Sequence, residues 1–302
     1  MRVPAFLNDV KQPVKLLRHR LRNEYIRRFF SFTPEDLLKG LRDLGIQPGD
    51  VVCVHSSFDQ FLGFQGNLGD ALQVLQMAVG SSGGLMMPTQ PFQGSAIDYV
   101  RNNPITNIAR TPSRMGMITE LLRRTKSAVR SIHPTHPVAV WGTAGIALAG
   151  NDWEARTPCG KGTAYYRLLE SNGKILMLGT GLQPMTFYHC VEELIEPMMP
   201  RSPFTTEVFE VKSQDAAGKI FITSMRLLER ELSAKRRMSI MEPELKRRRF
   251  LKSARIGRLE CLLLSAADVL EACCSMAKRG EFCYEGMSRA QPRHRPTEQW
   301  SE

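Results

Sequence analysis

Residues 174–196 read KILMLGTGLQPMTFYHCVEELIE, and this stretch decides the fold class. Its first five residues are mostly apolar and β-prone, which predicts a buried strand, and Gly-Thr-Gly follows at once. From residue 186 to residue 196 the pattern predicts a helix. A strand, a glycine-containing loop and a helix in succession form the unit from which α/β proteins are built.

The alternation of strand and helix continues on both sides of this stretch. Thr33 and Gly45 stand where an N-cap and a helix terminator are expected. The predicted strands are 51–57, 85–90 and 138–140, the predicted helices are 33–44, 70–79, 117–125, 227–249 and 265–278, and strands 207–211 and 219–222 are predicted to form a hairpin. Residues 91–113, rich in Pro, Asn, Gly and Thr, are expected to be a long loop. These elements favour a single α/β domain over residues 31–287.

The net charge of +11 arises at the two ends of the chain. Residues 29–225 hold sixteen Lys and Arg against seventeen Asp and Glu, so nucleic-acid binding is not favoured. Within the N-terminal segment 1–30, residues 14–30 have the pattern of a basic amphipathic helix. Packing on its own domain or on a partner subunit is favoured for this helix, which leaves a homo-oligomer open, over contact with an anionic membrane surface. The segment 288–302 lacks periodicity and is expected to be disordered.

Several classes of protein are disfavoured by the composition. No apolar run approaches the roughly 20 residues of a membrane span, and no secretory signal is recognisable, so a cytoplasmic protein is expected. The seven cysteines have no metal-ligand spacing, so they are expected to be reduced thiols and no metal site is predicted. Neither glycine-rich segment has the spacing of a nucleotide-binding fingerprint.

His189 is the histidine with the clearest chemical context. Helical spacing puts Glu192 at i+3 and Glu193 at i+4, so a carboxylate can orient one ring nitrogen and leave the other free to accept a proton. A simple surface His-Glu pair is the alternative, since such pairs are common on helices. Cys159 offers a second alternative, a nucleophilic Cys-His pair, although nothing in its context lowers its pKa.

Three further histidines lie near predicted strand ends. His55 ends a strand immediately before Ser56 and Ser57, where a core residue and a loop organiser are equally good interpretations. His133 and His136 occur in SIHPTHP, where prolines hold their directions. The two histidines would either line a binding site or cap their own turn.

Six segments of the chain occur in an order that resembles a known family. They are VHSS, GGLMMPTQ, SRMGMITELLRR, RSIHPTHPVAVWG, TPCGKGTAYYRLLESNGKILMLGTG and TFYHCVEE. Together they resemble the aminoglycoside 3-N-acetyltransferase family over residues 33–285. The resemblance implies a single α/β domain with a central mixed β-sheet flanked by helices, distinct from the GNAT fold, and acetyl-coenzyme A as the acetyl donor.

The resemblance also implies roles for individual residues. The catalytic His-x-x-Glu element falls on His189 and Glu192, and the strand end that holds the pantetheine arm falls on His55, Ser56 and Ser57. The element expected close to the thioester falls on Arg130, Ser131 and His133. Arg130 and Ser131 would bind the cofactor, and His133 would take part in catalysis. Pro137 replaces a serine that many members have there, which puts the identity of the acceptor in doubt.

The reaction implied is direct transfer of acetyl to a primary amine of an aminoglycoside or another amino sugar. His189 would act as the general base and Glu192 would orient it. Residues expected to contact a cationic acceptor are Asp98, His136, Glu193 and Glu196. Two alternatives remain open: an inactive binding or scaffold protein that attaches to membrane or nucleic acid through its basic ends, and a ping-pong acyltransferase that uses Cys159.

Overall fold

The computed structural model describes residue 22, residues 24–103 and residues 105–287. Residues 24–29 are helical, in agreement with the expected N-terminal helix. The remainder of that prediction and the predicted tail, 288–302, lie outside the described residues. In the described ranges no helix is long and apolar enough to cross a membrane.

The core of the fold is a mixed seven-stranded sheet with the strand order β4-β5-β2-β1-β6-β10-β9. Strand β1 runs parallel to β2 and to β6, and the other neighbours are antiparallel. A second sheet has the order β3-β7-β8. The strands are β1 (Val51–Ser56), β2 (Gly84–Pro88), β3 (Thr106–Asn107), β4 (Val129–Arg130), β5 (Val138–Trp141), β6 (Lys174–Leu178), β7 (Phe204–Gln214), β8 (Ile220–Leu228), β9 (Lys252–Ile256) and β10 (Leu259–Ser265).

Helices cover both faces of the large sheet. Successive residues of β6 point to opposite faces, so Ile175 and Met177 join one apolar cluster while Leu176 and Leu178 join the other. Strand β6 is therefore apolar on both sides, as expected for a strand at the centre of a sheet between helical layers. The helices are α1 (Pro34–Leu44), α2 (Leu68–Val79), α3 (Ala96–Asn102), α4 (Met117–Arg124), α5 (Thr143–Ile146), α6 (Ala164–Glu170), α7 (Tyr188–Ile195), α8 (Arg230–Lys235), α9 (Glu242–Arg247) and α10 (Ala266–Lys278).

Local signals explain the boundaries that the sequence predicted well. Thr33 Oγ1 accepts the N–H of Asp36 at 3.2 Å, and Asp36 Oδ2 accepts the N–H of Thr33 at 2.9 Å, so a capping box begins α1. Gly45 ends the helix at φ +117°, a left-handed conformation that suits glycine.

Two predictions about the chain path are wrong. Residues 91–113 are not a bare loop, because Ser95 caps α3 and Thr106–Asn107 pairs with β7 as strand β3. Residues 227–249 are not one helix either: β8 continues to Leu228, and α8 and α9 are short and separate. The hairpin β7–β8 is longer than predicted, and α6, β9 and β10 were not predicted from the sequence.

Candidate active site

A cavity of about 460 Å³ lies at the edge of the large sheet where the parallel strands end. Gln90 follows β2, Thr186 and His189 follow β6, and His136 precedes the antiparallel strand β5, so all four come from this one edge. Ligand sites of open α/β sheets form at such edges. The lining residues are Gln90, Phe92, Gln93, Gly94, Ser95, Ala96, Met115, His136, Pro184, Thr186, His189, Leu228, Arg230, Ser233, Ala234 and Arg236.

The His189 imidazole is oriented by Glu192, one turn further along α7. Nδ1 of His189 lies 2.6 Å from Glu192 Oε2. Glu192 is fully buried and accepts a second hydrogen bond from the Tyr284 hydroxyl. A carboxylate oxygen accepts the Nδ1–H in this contact, so the lone pair of the imidazole lies on Nε2.

The guanidinium of Arg236 contacts the other ring nitrogen of His189. Arg236 Nη1 lies 2.5 Å from Nε2 and 3.2 Å from Nδ1, so its N–H donates to the Nε2 lone pair. Burial lowers the pKa of His189, Glu192 acts in the opposite direction, and the Arg236 cation lowers the pKa further. The imidazole is therefore neutral at neutral pH, which is the state that a general base requires.

The two histidines of SIHPTHP differ in position. His136 lies on the cavity wall with its ring centroid 5.9 Å from that of His189. His133 is fully buried behind it, and its Nδ1 accepts the N–H groups of Thr135 at 3.2 Å and His136 at 2.9 Å. His133 thus organises the loop that presents His136, and burial lowers its pKa to about 3. It does not line the cavity.

A second cavity of about 520 Å³ lies at the start of α4. Gln93 lines both cavities, so the two adjoin. A Cβ atom at Gly116, on the wall of the second cavity, would lie 3.6 Å from the carbonyl oxygen of Ser56. His55, Ser56 and Ser57, the residues expected to hold the pantetheine arm, line neither cavity, and burial lowers the pKa of His55 to about 4.

Arg130 and Ser131 bind protein backbone. Arg130 Nη1 donates to the carbonyl oxygens of Ile108 at 2.9 Å and Thr111 at 2.6 Å, and Nε and Nη2 donate to Thr89. The Ser131 hydroxyl accepts the N–H of Val138 at 3.1 Å. Neither residue lines the two cavities, so the expected contact with the thioester is not supported by where their side chains lie.

The acids expected to attract a cationic acceptor are engaged elsewhere. Glu193 accepts from the Thr157 hydroxyl, and Glu196 pairs with Arg226 at 3.1 Å, both away from the cavity wall.

Asp98 forms an ion pair with Arg230, whose guanidinium lines the cavity, while Asp98 itself is half exposed beside the cavity. Cys159 is fully buried and outside the cavity, and burial holds the pKa of its thiol well above the usual value. That environment disfavours a thiolate nucleophile.

Sequence patterns did not indicate Arg236, Arg230 or Tyr284 as site residues. Arg236 and Arg230 lie in the basic stretch 227–249, where their charge resembles that of a solvated helix face. Tyr284 lies 92 residues from Glu192 in sequence, so no spacing rule connects the two.

The chain is similar to known proteins of one family. The model of the family described as aminoglycoside 3-N-acetyltransferase matches residues 53–278. The chain belongs to this family. It is 29% identical over 170 residues to aminoglycoside N(3)-acetyltransferase IX of Micromonospora chalcea, which covers 52% of the chain and 60% of that relative. The chain therefore spans less than two thirds of this relative's length.

Solved structures share the family fold. The aminoglycoside acetyltransferase AAC(3)-Xa superposes with a TM-score of 0.70 at 22% identity, over 84% of this chain and 95% of that one. AAC-IIIb, solved as a binary complex with CoASH, superposes with a TM-score of 0.69 at 20% identity, over 82% and 97%. The single α/β domain with a mixed sheet, expected from the resemblance, is confirmed.

Proposed function

We propose that this chain is an N-acetyltransferase that transfers acetyl from acetyl-coenzyme A directly to a primary amine. The observation that carries the proposal is the His189–Glu192 pair, whose oriented imidazole lies on the wall of a cavity at the carboxyl edge of the sheet. Membership of the family supports acetyl transfer, and AAC-IIIb binds CoASH.

The two adjoining cavities fit a long donor and a separate acceptor. Arg114, Arg124 and Glu120 line the second cavity, and Arg124 pairs with Glu120 at 2.7 Å. Arg114 and the positive end of α4, which begins after Gly116, therefore remain to favour the phosphates of coenzyme A there. The pantetheine arm would pass the end of β1 and Gln93 toward His189. When bound, the donor supplies an activated thioester acetyl group.

His189 moves the proton in this proposal. Nε2 accepts a proton from the acceptor amine, and the imidazolium that forms is stabilised by Glu192 through Nδ1–H. Tyr284 holds the carboxylate in place. The proton on Nε2 is then available to the leaving thiolate. Such base catalysis contributes roughly a hundred- to ten-thousandfold in rate, or about 3 to 5 kcal/mol of barrier.

Thiol release from acetyl-coenzyme A in the presence of a panel of primary amines tests the function, with the mass of each product as the second readout. We expect thiol release that depends on the amine, and a product heavier by one acetyl group. Glu192→Gln should lower this thiol release. Its matched control is Glu193→Gln, because Glu193 is the next residue on the same helix but binds Thr157 outside the cavity. No thiol release with any amine, together with binding to anionic vesicles or nucleic acid, would favour the scaffold alternative.

A further inference from the structure

The wall of the cavity beside His189 is cationic. Among its lining residues, all within the described part of the chain, two are arginines, and no Asp or Glu is present. The acids that the sequence suggested for a cationic acceptor bind Thr157, Arg226 and Arg230 instead. A polycationic acceptor would therefore meet positive charge at the position where its amine must lose a proton.

The two arginines differ in how their charge is balanced. Arg230 is paired with Asp98 at the mouth of the cavity. Arg236 has no carboxylate oxygen within 4.0 Å among residues 22, 24–103 and 105–287. Its Nε is buried, and in those same ranges it has no hydrogen-bond partner. A buried N–H donor without an acceptor is costly, and this one belongs to a guanidinium that contacts His189 but no carboxylate.

We propose that the acceptor carries an anionic group, a carboxylate or a phosphate, close to its amine, and that Arg236 binds this group. The inference rests on the proposed acetyl transfer and names its substrate class. A guanidinium presents a fork of N–H donors that matches the oxygens of either anion. The coenzyme A phosphates do not satisfy Arg236, because the whole pantetheine arm separates them from the thioester that must approach His189.

The same contact links acceptor binding to the base. Arg236 Nη1 donates to Nε2 of His189, the nitrogen that must accept the proton. An anion that draws this guanidinium away frees the Nε2 lone pair, while the acceptor amine arrives beside it. A neutral or polycationic amine offers no group that competes for Arg236. Selectivity for anionic acceptors then follows in kcat as well as in KM.

The test compares amines of different charge: glucosamine, glucosamine 1-phosphate, muramic acid and, as a polycation, kanamycin. The first three share the amine on carbon 2, and the second and third add a phosphate or a carboxylate next to it. We expect kcat/KM for thiol release to be at least about tenfold higher for one or both anionic amines than for glucosamine, and which of the two is preferred identifies the anion.

Variants at position 236 separate recognition from folding. Arg236→Gln should lower kcat/KM for the anionic amines by about ten- to a hundredfold and bring it close to that for glucosamine, whereas Arg236→Lys should retain part of the preference. Arg237→Gln is the matched control, because Arg237 pairs with Glu285 outside the cavity.

Two outcomes overturn the inference. If kanamycin or glucosamine is the preferred acceptor, or if Arg236→Gln leaves the ratio of anionic to neutral amine unchanged, the substrate class is wrong while acetyl transfer stands. If none of the amines accepts acetyl, the proposed function fails and this inference fails with it.

Discussion

Replacing Glu192 with Gln tests the charge that stabilises the protonated base. Glutamine has nearly the same shape and can still accept from the Tyr284 hydroxyl, but it carries no negative charge. The carboxylate lies 2.6 Å from Nδ1, so the centres of charge are about 4 Å apart. Two unit charges at that separation attract by about 4 kcal/mol at an effective dielectric constant of about 20.

That attraction exists only when His189 is protonated, so its loss raises the barrier. Because about 1.4 kcal/mol corresponds to tenfold in rate, we expect kcat to fall by up to about a thousandfold in Glu192→Gln. The glutamine amide can also donate to Nδ1, which moves the ring proton to Nε2 and removes the acceptor lone pair.

Steady-state thiol release measures this effect, with the thermal transition recorded for each variant. The decrease should appear in kcat rather than in KM, because Glu192 does not line the cavity. A decrease of less than about threefold in a folded variant would refute the charge argument.

Three further perturbations follow from the same contacts. In Arg236→Gln, the pKa of His189 should rise because a nearby cation is removed, and the acid limb of the kcat/KM profile with glucosamine should move to higher pH; an unmoved limb contradicts this. Arg130→Lys should lower the free energy of unfolding in urea by about 3 kcal/mol, because hydrogen bonds to carbonyl groups are lost. A raised KM for acetyl-coenzyme A at unchanged stability would instead assign Arg130 to the donor site. Burial lowers the pKa values of four histidines, His55, His133, His136 and His189. The stability that their neutral forms contribute should be fully present above about pH 6.5 and should decrease as the pH falls toward about 4, by up to about 1.4 kcal/mol per pH unit for each histidine. A free energy of unfolding in urea that is unchanged from pH 7 to pH 5 contradicts this.

The sequence predicts an element well when the residues that determine it lie within the element or next to its ends. Helix α1 is bounded by Thr33 and Gly45, which act within a few residues of the helix ends. Strand β6 is a short apolar run whose alternate residues fill two clusters. The prediction of a long loop over residues 91–113 is wrong because the structure there depends on distant partners. Strand β3 forms only through its pairing with β7, about a hundred residues later.

The residues of the candidate site also divide into those that local spacing predicts and those that it does not. His189 and Glu192 could be paired from the sequence, because one helical turn separates them. Arg236 and Tyr284 could not, since they reach His189 and Glu192 from 47 and 92 residues away. Arg130 was assigned a role from the resemblance alone, and only the fold shows that its side chain binds backbone carbonyl groups.

The most direct test of the account compares His189→Ala with Cys159→Ala in thiol release with the best amine acceptor. We expect His189→Ala to lower kcat/KM by about a hundred- to ten-thousandfold, and Cys159→Ala to remain within a few fold of the native protein, provided that both variants fold. Retained activity in His189→Ala, or loss of activity in a folded Cys159→Ala, would contradict direct transfer by an imidazole base.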